Sequence, residues 1–453
     1  MQQNHVRVAT LSVIVSFLFQ FIPLPDVWAL GSGGFSNQVV GLRSLGKGNS
    51  TTAQPEDAST VYMNPAAMPF LDGMQTEEGV TFEILQFEHK APNGNETQGE
   101  KSIISVPHAF MTTGNALTDR FSIGFGVTAP FGLMTEWDQD TFAKFAATQT
   151  ELVVSDYNPV IAYKVTDNLA IAGGAIIYDS YVSLKKMVNV TKMNSSLGEG
   201  SPTGNQTGAQ QIKGDDSVWG YNLALYYEPT VNHHLGATYR GPSTLEYDGH
   251  YRVTGLTSTA AAVFGGSAYQ TKTTSKMTLP QSMELGYSYT PDSKKWVWEL
   301  DGAWTGWNSI ERTRFDFPDE TNATRLAVLN TDNPFGRDWR STVSAGTGFE
   351  YRAKDWLKLR TGYYFYQTPV PGDHLEPSLP DSDRHAFTGG LGFEKGNFRA
   401  DAAYALVIAE KRRIDNTVAN ASDSSAIDGR VSSIDGEYSG LHHLFGINLS
   451  WRF

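Results

Sequence analysis

The chain has 453 residues, a net charge of −13 at pH 7 and no cysteine. Disulfides and thiolate metal sites are therefore excluded, and the acidic balance argues against nucleic-acid binding, which needs a basic face. Only 40% of residues are hydrophobic, yet 44 glycines, 20 tyrosines, 24 phenylalanines and 10 tryptophans are present, a composition that suits one large barrel as well as several soluble domains.

Residues 1–29 have the layout of a signal peptide. His5 and Arg7 precede a short apolar run from Val8 to Ile22, and Val27-Trp28-Ala29 supplies a small-x-small pattern with cleavage expected after Ala29. A membrane anchor is the alternative, but the run is shorter than the ~20 residues a helical span needs. No comparable run follows, so any span has to be made of strands. Residues 30–73 are rich in Gly, Ser, Asn and Thr with little alternation, and are long enough to fold as a small plug, or hatch, in the lumen of a barrel that would otherwise enclose a channel.

Residues 74–453 alternate between strand-like segments and polar connections. About fourteen strands are expected, including a third near Arg120–Pro130, a sixth near Ser217–Glu228, a ninth near Trp296–Phe315 and a last near Gly440–Phe453. In the ninth, Trp296, Trp298, Leu300 and Trp304 share one parity while Glu299 and Asp301 share the other. In the eleventh, Leu357, Leu359, Tyr363 and Phe365 alternate with Lys358, Arg360 and Tyr364. The last strand places Leu441, Phe445, Ile447, Leu449, Trp451 and Phe453 on one face and His442, Gly446, Asn448, Ser450 and Arg452 on the other, with Leu444 as the exception. Short turns and long polar loops alternate strictly along the chain. That pattern predicts an all-β fold, a transmembrane antiparallel β-barrel with short periplasmic turns and long external loops. A chain of β-sandwiches is the soluble alternative, and it requires neither the signal peptide nor the loop asymmetry.

A family comes into view before the first strand. The run Asp57-Ala58-Ser59-Thr60-Val61-Tyr62-Met63-Asn64-Pro65-Ala66 resembles the N-terminal hatch of the FadL-type outer-membrane transporters of long-chain fatty acids and aromatic hydrocarbons. Gly34-Phe35 and Ser44-Leu45-Gly46-Lys47-Gly48 are similar to other hatch elements of that family. Further on, Pro130-Phe131-Gly132, Asp338-Trp339-Arg340, Leu359-Arg360-Thr361-Gly362-Tyr363, Pro369-Val370-Pro371 and Leu379-Pro380-Asp381-Ser382-Asp383-Arg384 resemble its barrel motifs. Taken singly, Asn64-Pro65 is a plain turn initiator and Asp381–Arg384 an ordinary ion pair. The ordered set covers nearly the whole mature chain.

The resemblance implies a bacterial outer-membrane carrier of hydrophobic compounds, most of all long-chain fatty acids, with aromatic hydrocarbons as the alternative. It implies that Phe35 touches ligand, that Arg384 with Asp338, Arg340 and Asp381 serves an acid head group, that Asn64, Pro65 and Ala66 gate the hatch, and that ligand leaves sideways at a kink in the third strand. Gly124, Gly126 and Pro130 make that strand weak and bend-prone. From pattern alone, Arg360 and Lys358 face inward as candidates for a carboxylate, or for salt bridges to the hatch. The stretch from Phe131 to Thr150 carries Phe131, Leu133, Trp137, Phe142 and Phe145 and is expected to form an external apolar catch loop, with a short helix around Phe142–Ala146. A second apolar loop lies at Thr254–Gln270. No cofactor or metal is expected. The expected surroundings are outer-membrane lipid and lipopolysaccharide, the barrel-assembly machinery during biogenesis, and a monomeric state. A general porin or a structural or adhesive barrel remains the competing function. An outer-membrane hydrolase is the other, and the chain lacks a G-x-S-x-G motif and spaced histidine partners.

Overall fold

A computed structural model describes residues 33–37, 40–200, 206–331, 333–415 and 434–453. The expected signal peptide, residues 30–32 and 38–39, and parts of three long connections lie outside these residues. Fourteen antiparallel strands close into one barrel. In chain order they are β1 (Gln75–Leu85 with Phe87–Lys90), β2 (Glu96–Gln98 with Ser102–Thr112), β3 (Phe121–Glu136), β4 (Gln149–Thr166), β5 (Leu169–Asn189), β6 (Thr207–Thr230) and β7 (His233–Arg240 with Ser243–Thr254). The second half is β8 (Ala268–Leu279 with Ser282–Tyr289), β9 (Trp296–Thr305), β10 (Thr342–Lys354), β11 (Leu357–Tyr366), β12 (Arg384–Lys395), β13 (Phe398–Ile414) and β14 (Gly436–Arg452). Strand β1 pairs with β14 from Gln75↔Arg452 to Ile84↔His443, which closes the sheet.

Period-two patterning explains why these segments form a barrel wall. In β14, Ile447 and Trp451 are about half exposed while His442 and Asn448 are buried. In β9, Trp298, Leu300 and Trp304 are exposed on the outside, and Glu299 and Asp301 are buried inside. An apolar exterior of this kind is stable only against lipid. Leu444, the residue that breaks the parity of the last strand, packs inside the barrel against Leu42 and Leu45.

Several strand ends differ from expectation. β3 runs through Pro130 to Glu136, so Phe131 and Leu133 belong to the wall and not to a loop. β6 starts at Thr207, ten residues before Ser217, because its upper half finds partners on both β5 and β7. β9 stops at Thr305, where Gly306 donates its N–H to the Gln281 carbonyl and Trp307 turns inward. The expected helix near Phe142–Ala146 is a run of turns in which the Ala147 N–H reaches the Ala143 carbonyl. The apolar Thr254–Gln270 loop does carry a short helix, α4 below.

Residues 40–73 fold inside the barrel as three short helices, α1 (Leu42–Gly46), α2 (Thr60–Met63) and a 3-10 turn (Pro65–Phe70). Outside the barrel, the loop helices α3 (Val190–Ser196), α4 (Ser258–Phe264) and α5 (Ala323–Leu329) meet over an apolar cluster that includes Val190, Phe264 and Phe317.

The interior segment is tied to the wall mainly by polar bonds. Lys47 Nζ sits 2.8 Å from Glu299 Oε2, with both side chains fully buried. The Asp301 carboxylate accepts the N–H groups of Thr51 and Thr52, and Glu299 accepts that of Ala53. Arg43 pairs with Glu56 at 3.0 Å, and Lys358 reaches Glu56 at 3.2 Å from β11. Burial alone would raise the Glu56 carboxyl, but Arg43, Lys358 and Arg399 outweigh it and hold the group at about 2.

Candidate functional site

The site begins at a defect in β3. Its pairing with β4 shifts between Thr128↔Asp156 and Phe131↔Val154, so Ala129 and Pro130 bulge out of the ladder. On its other side β3 pairs with β2 only from Ala109↔Val127 to Thr112↔Gly124. Proline at the bulge costs no ladder bond, because it has no N–H to donate. Residues 33–37 fill in for the missing strand. Asn37 donates its backbone N–H to the Pro130 carbonyl at 2.7 Å and its side-chain amide to the Ala129 carbonyl at 3.2 Å. Gly132 donates its N–H to the Phe35 carbonyl at 2.8 Å.

This pairing positions the Phe35 ring. It lies edge-on to Trp307 at 4.7 Å between centroids, 5.6 Å from Trp339 and 6.0 Å from Phe131. Gly34 is required beside it: its φ is +63°, and a Cβ there would stand 3.0–3.1 Å from the two tryptophan rings and Pro369. The Gly34 N–H is held by Asp381 Oδ2 at 2.9 Å, and Thr368 donates to the same oxygen at 2.6 Å.

Above Phe35 opens a cavity of about 240 Å³. Phe35, Leu133, Leu152, Ile212, Ile310 and Trp339 give it apolar walls. Its lining also holds five basic side chains, Lys185, Lys186, Lys276, Arg312 and Arg337, against one acid, Glu376. Arg337 ion-pairs with Glu376. Burial raises the Glu376 carboxyl, but Arg337 and hydrogen bonds from Ser378 and Arg337 bring it below the usual range. An apolar chamber with a cationic rim can hold an amphipathic acid, tail inward and carboxylate at the rim.

The expected site residues separate into distinct places. Phe35 and Leu133 line the cavity, and Phe131 packs beside Phe35. Trp137 is buried and donates to the Pro377 carbonyl, whereas Phe142 stacks on His89 at 3.6 Å; both pin the loop after β3 to its neighbours. Phe145 lies half-buried under Lys144. Arg384 is buried against Asp381 at 2.7 Å, so this pair anchors the Gly34 end. Arg360 is buried between Glu350 and Asp401, inside the ion network of the interior segment and away from the cavity. Asp338 and Arg340 are exposed, and the residue between them, Trp339, points into the cavity. Gly124 and Gly126 sit in the paired part of β3; a Cβ on Gly124 would stand 2.6 Å from Val61, so these glycines admit the interior segment, and the ladder fails at Ala129–Pro130 instead. Asn64 caps Ala66 and donates to the Thr52 and Leu225 carbonyls, with Pro65 and Ala66 buried behind it.

Sequence reasoning missed Trp307, Trp339, Asn37, Lys185, Lys186 and Arg337. Trp339 lay within a motif that was noticed for its charged flanks. Lys185 and Lys186 sit at the outer end of a strand, where charge is ordinary and gives no signal.

The sequence profile of the family described as outer membrane protein transport protein (OMPP1/FadL/TodX) matches residues 27–453. The chain belongs to this family. It is an outer-membrane transporter of hydrophobic compounds. A long-chain fatty acid transport protein of Escherichia coli O6:H1 is 22% identical over 407 residues, covering 83% of this chain and 86% of that protein. The crystal structure of a Pseudomonas aeruginosa FadL homologue superposes with a TM-score of 0.78 at 19% identity, covering 93% of this chain and 100% of that one. That of the Pseudomonas putida toluene transporter TodX gives a TM-score of 0.67 at 16% identity, covering 94% and 99%. At these identities the two structures attest the fold.

Proposed function

We propose that this member of the family carries long-chain fatty acids inward, through a barrel gated by residues 30–73 acting as a hatch. The observation that carries the reading is the cavity above Phe35, apolar in its walls and rimmed by five bases against one acid in a protein of net charge −13. A neutral hydrocarbon gains nothing from that rim, whereas a carboxylate gains charge-assisted hydrogen bonds. Phe35 closes the floor of the cavity, and the peptide bonds of residues 35–37 close the bulge in β3. Withdrawal of this strand-like pentapeptide opens both at once, giving a lateral exit at Ala129–Pro130. Asn64, Pro65 and Ala66 hold the rest of the hatch against β6 while the front end moves. The protein works as a monomer in a lipopolysaccharide leaflet, delivered there by the barrel-assembly machinery.

Aromatic hydrocarbon uptake is the second reading, favoured by the rings of Phe35, Phe131, Trp307 and Trp339 meeting at one point. Displacement of a fluorescent fatty acid from the purified protein decides between them. Unlabelled long-chain acids should compete strongly and toluene-like compounds weakly; the reverse order sinks the fatty-acid reading.

A further inference from the structure

We propose that the cavity has a side entrance through the barrel wall, between β8 and the chain that follows β9, which admits an anionic acyl amphiphile lying in the outer leaflet. This rests on the transport reading above and adds a route to it.

The ladder of the sheet itself is interrupted there. β8 pairs with β9 up to Ser282↔Thr305, and β9 then ends. The next ladder contact on that edge of β8 is Thr274↔Asp316 and Ser275↔Phe315. Between them, among the described residues, no ladder pairing joins Lys276–Leu279 to the 306–314 chain, and one side-chain bond spans the space, from Ser309 Oγ to the Thr278 carbonyl at 3.1 Å. The other edge of β8 is loosened at the same level: Pro280 in β8 and Pro242 in β7 face each other in the two-residue gap between Ser243↔Leu279 and Arg240↔Ser282, and neither has an N–H.

The cavity reaches this window. Lys276, Met277 and Thr278 line it from one side, and Ser309, Ile310 and Arg312 from the other. Lys276 and Arg312 are exposed, so the same cavity that touches Phe35 also touches solvent at the wall.

Its height selects the occupant. Directly below, Tyr239, Met283, Trp304 and Val343 stand in register on neighbouring strands and face lipid. Above that apolar row the exterior turns polar, with Lys276 paired to Glu246 and Arg314 to Asp316, all exposed. The window therefore lies at the boundary between acyl chains and polar layer. A fatty acid dissolved in the leaflet has its carboxylate at that level and its tail below. Lys276 and Arg312 flank the opening, and an exposed pair such as Lys276–Glu246 is weak, so a competing carboxylate displaces it.

The absence of native cysteine allows a direct test. Glu246→Cys and, separately, Arg314→Cys, exposed positions beside the window that do not line the cavity, are labelled with a polyethylene-glycol maleimide and reconstituted into liposomes, with arrival of a fluorescent long-chain fatty acid read by a trapped acid-binding protein. The acid is supplied either preloaded in the facing leaflet or from albumin in solution. Labelling at either position should slow leaflet-supplied arrival about tenfold and leave albumin-supplied arrival nearly unchanged. Equal rates with and without label in the leaflet arm overturn the side entrance, as does equal slowing in both arms. Failure of the unlabelled protein to carry the acid in either arm overturns the transport reading itself, and the entrance with it.

Discussion

The two ends of the interior segment are held by different physics. Residues 40–57 are fastened by buried charge: Lys47 to Glu299, Arg43 to Glu56, and three backbone N–H groups to the Glu299 and Asp301 carboxylates. Residues 33–37 are fastened by two strand-like backbone hydrogen bonds, one bond from the Asn37 amide, one from the Gly34 N–H to Asp381, and by ring edges around Phe35. Ring contacts can be replaced by a ligand of similar polarity, one for one. A buried carboxylate has no such substitute, because any opening must return both partners to water together. The difference assigns anchorage to the charged body and exchange to the aromatic end.

Removing one partner of the buried pair should have the largest effect. Lys47→Met leaves Glu299 charged and unpaired and should cost about 3–5 kcal/mol in unfolding of the detergent-solubilised protein, with Lys47→Met/Glu299→Gln recovering much of the loss. If the single variant melts with the parent, the body is not the anchor. Asn64→Ala removes bonds to two wall and hatch carbonyls and should cost about 1–3 kcal/mol and slow uptake, while the barrel keeps its heat-modifiable gel mobility. Normal transport by that variant would remove Asn64-Pro65-Ala66 from the gate. Phe35→Ala should spare the anchored body and weaken fatty-acid binding about tenfold, near 1.4 kcal/mol, as read by fluorescence displacement.

Acid should act on the charged body. Glu56 ionises at about 2 in the folded protein against the usual 4.5, so its stabilisation is complete above about pH 4.5 and is lost as pH falls toward 2. Melting temperature followed through that window should drop progressively, and Glu56→Gln should flatten the drop. The smallest effect is expected at the surface: Lys90→Ala breaks the exposed pair with Glu96 and should leave the melting temperature unchanged.

The wall was legible in the residues because lipid imposes period two on one face, and Trp298, Leu300 and Trp304 fall where that rule puts them. Strand ends were less so. Above the membrane both faces meet water or loop, the alternation loses its cause, and the upper half of β6 from Thr207 carries no lipid-facing signature. Pro130 illustrates the reverse error: a proline reads as a strand end, yet here it sits in a bulge that the strand passes through. In the site, Phe35 was legible through its motif and Trp307 was not, since an inward tryptophan just past a strand looks the same as one on the strand. The Asp381–Arg384 pair, three residues apart, was legible as an ion pair, whereas Arg360 was legible only as an inward cation, because its partners Glu350 and Asp401 lie 10 and 41 residues away on other strands.

Leu444 was the one apolar residue on the wrong face of the closing strand, and its neighbours Leu42 and Leu45 belong to α1. The Leu42 N–H also reaches Asn448 Oδ1 on the same strand. One side of the seat for α1 is thus made by β14, the final strand synthesised. The segment that leaves the ribosome ahead of every strand completes its docking only with the last of them, the strand that also closes the seam with β1.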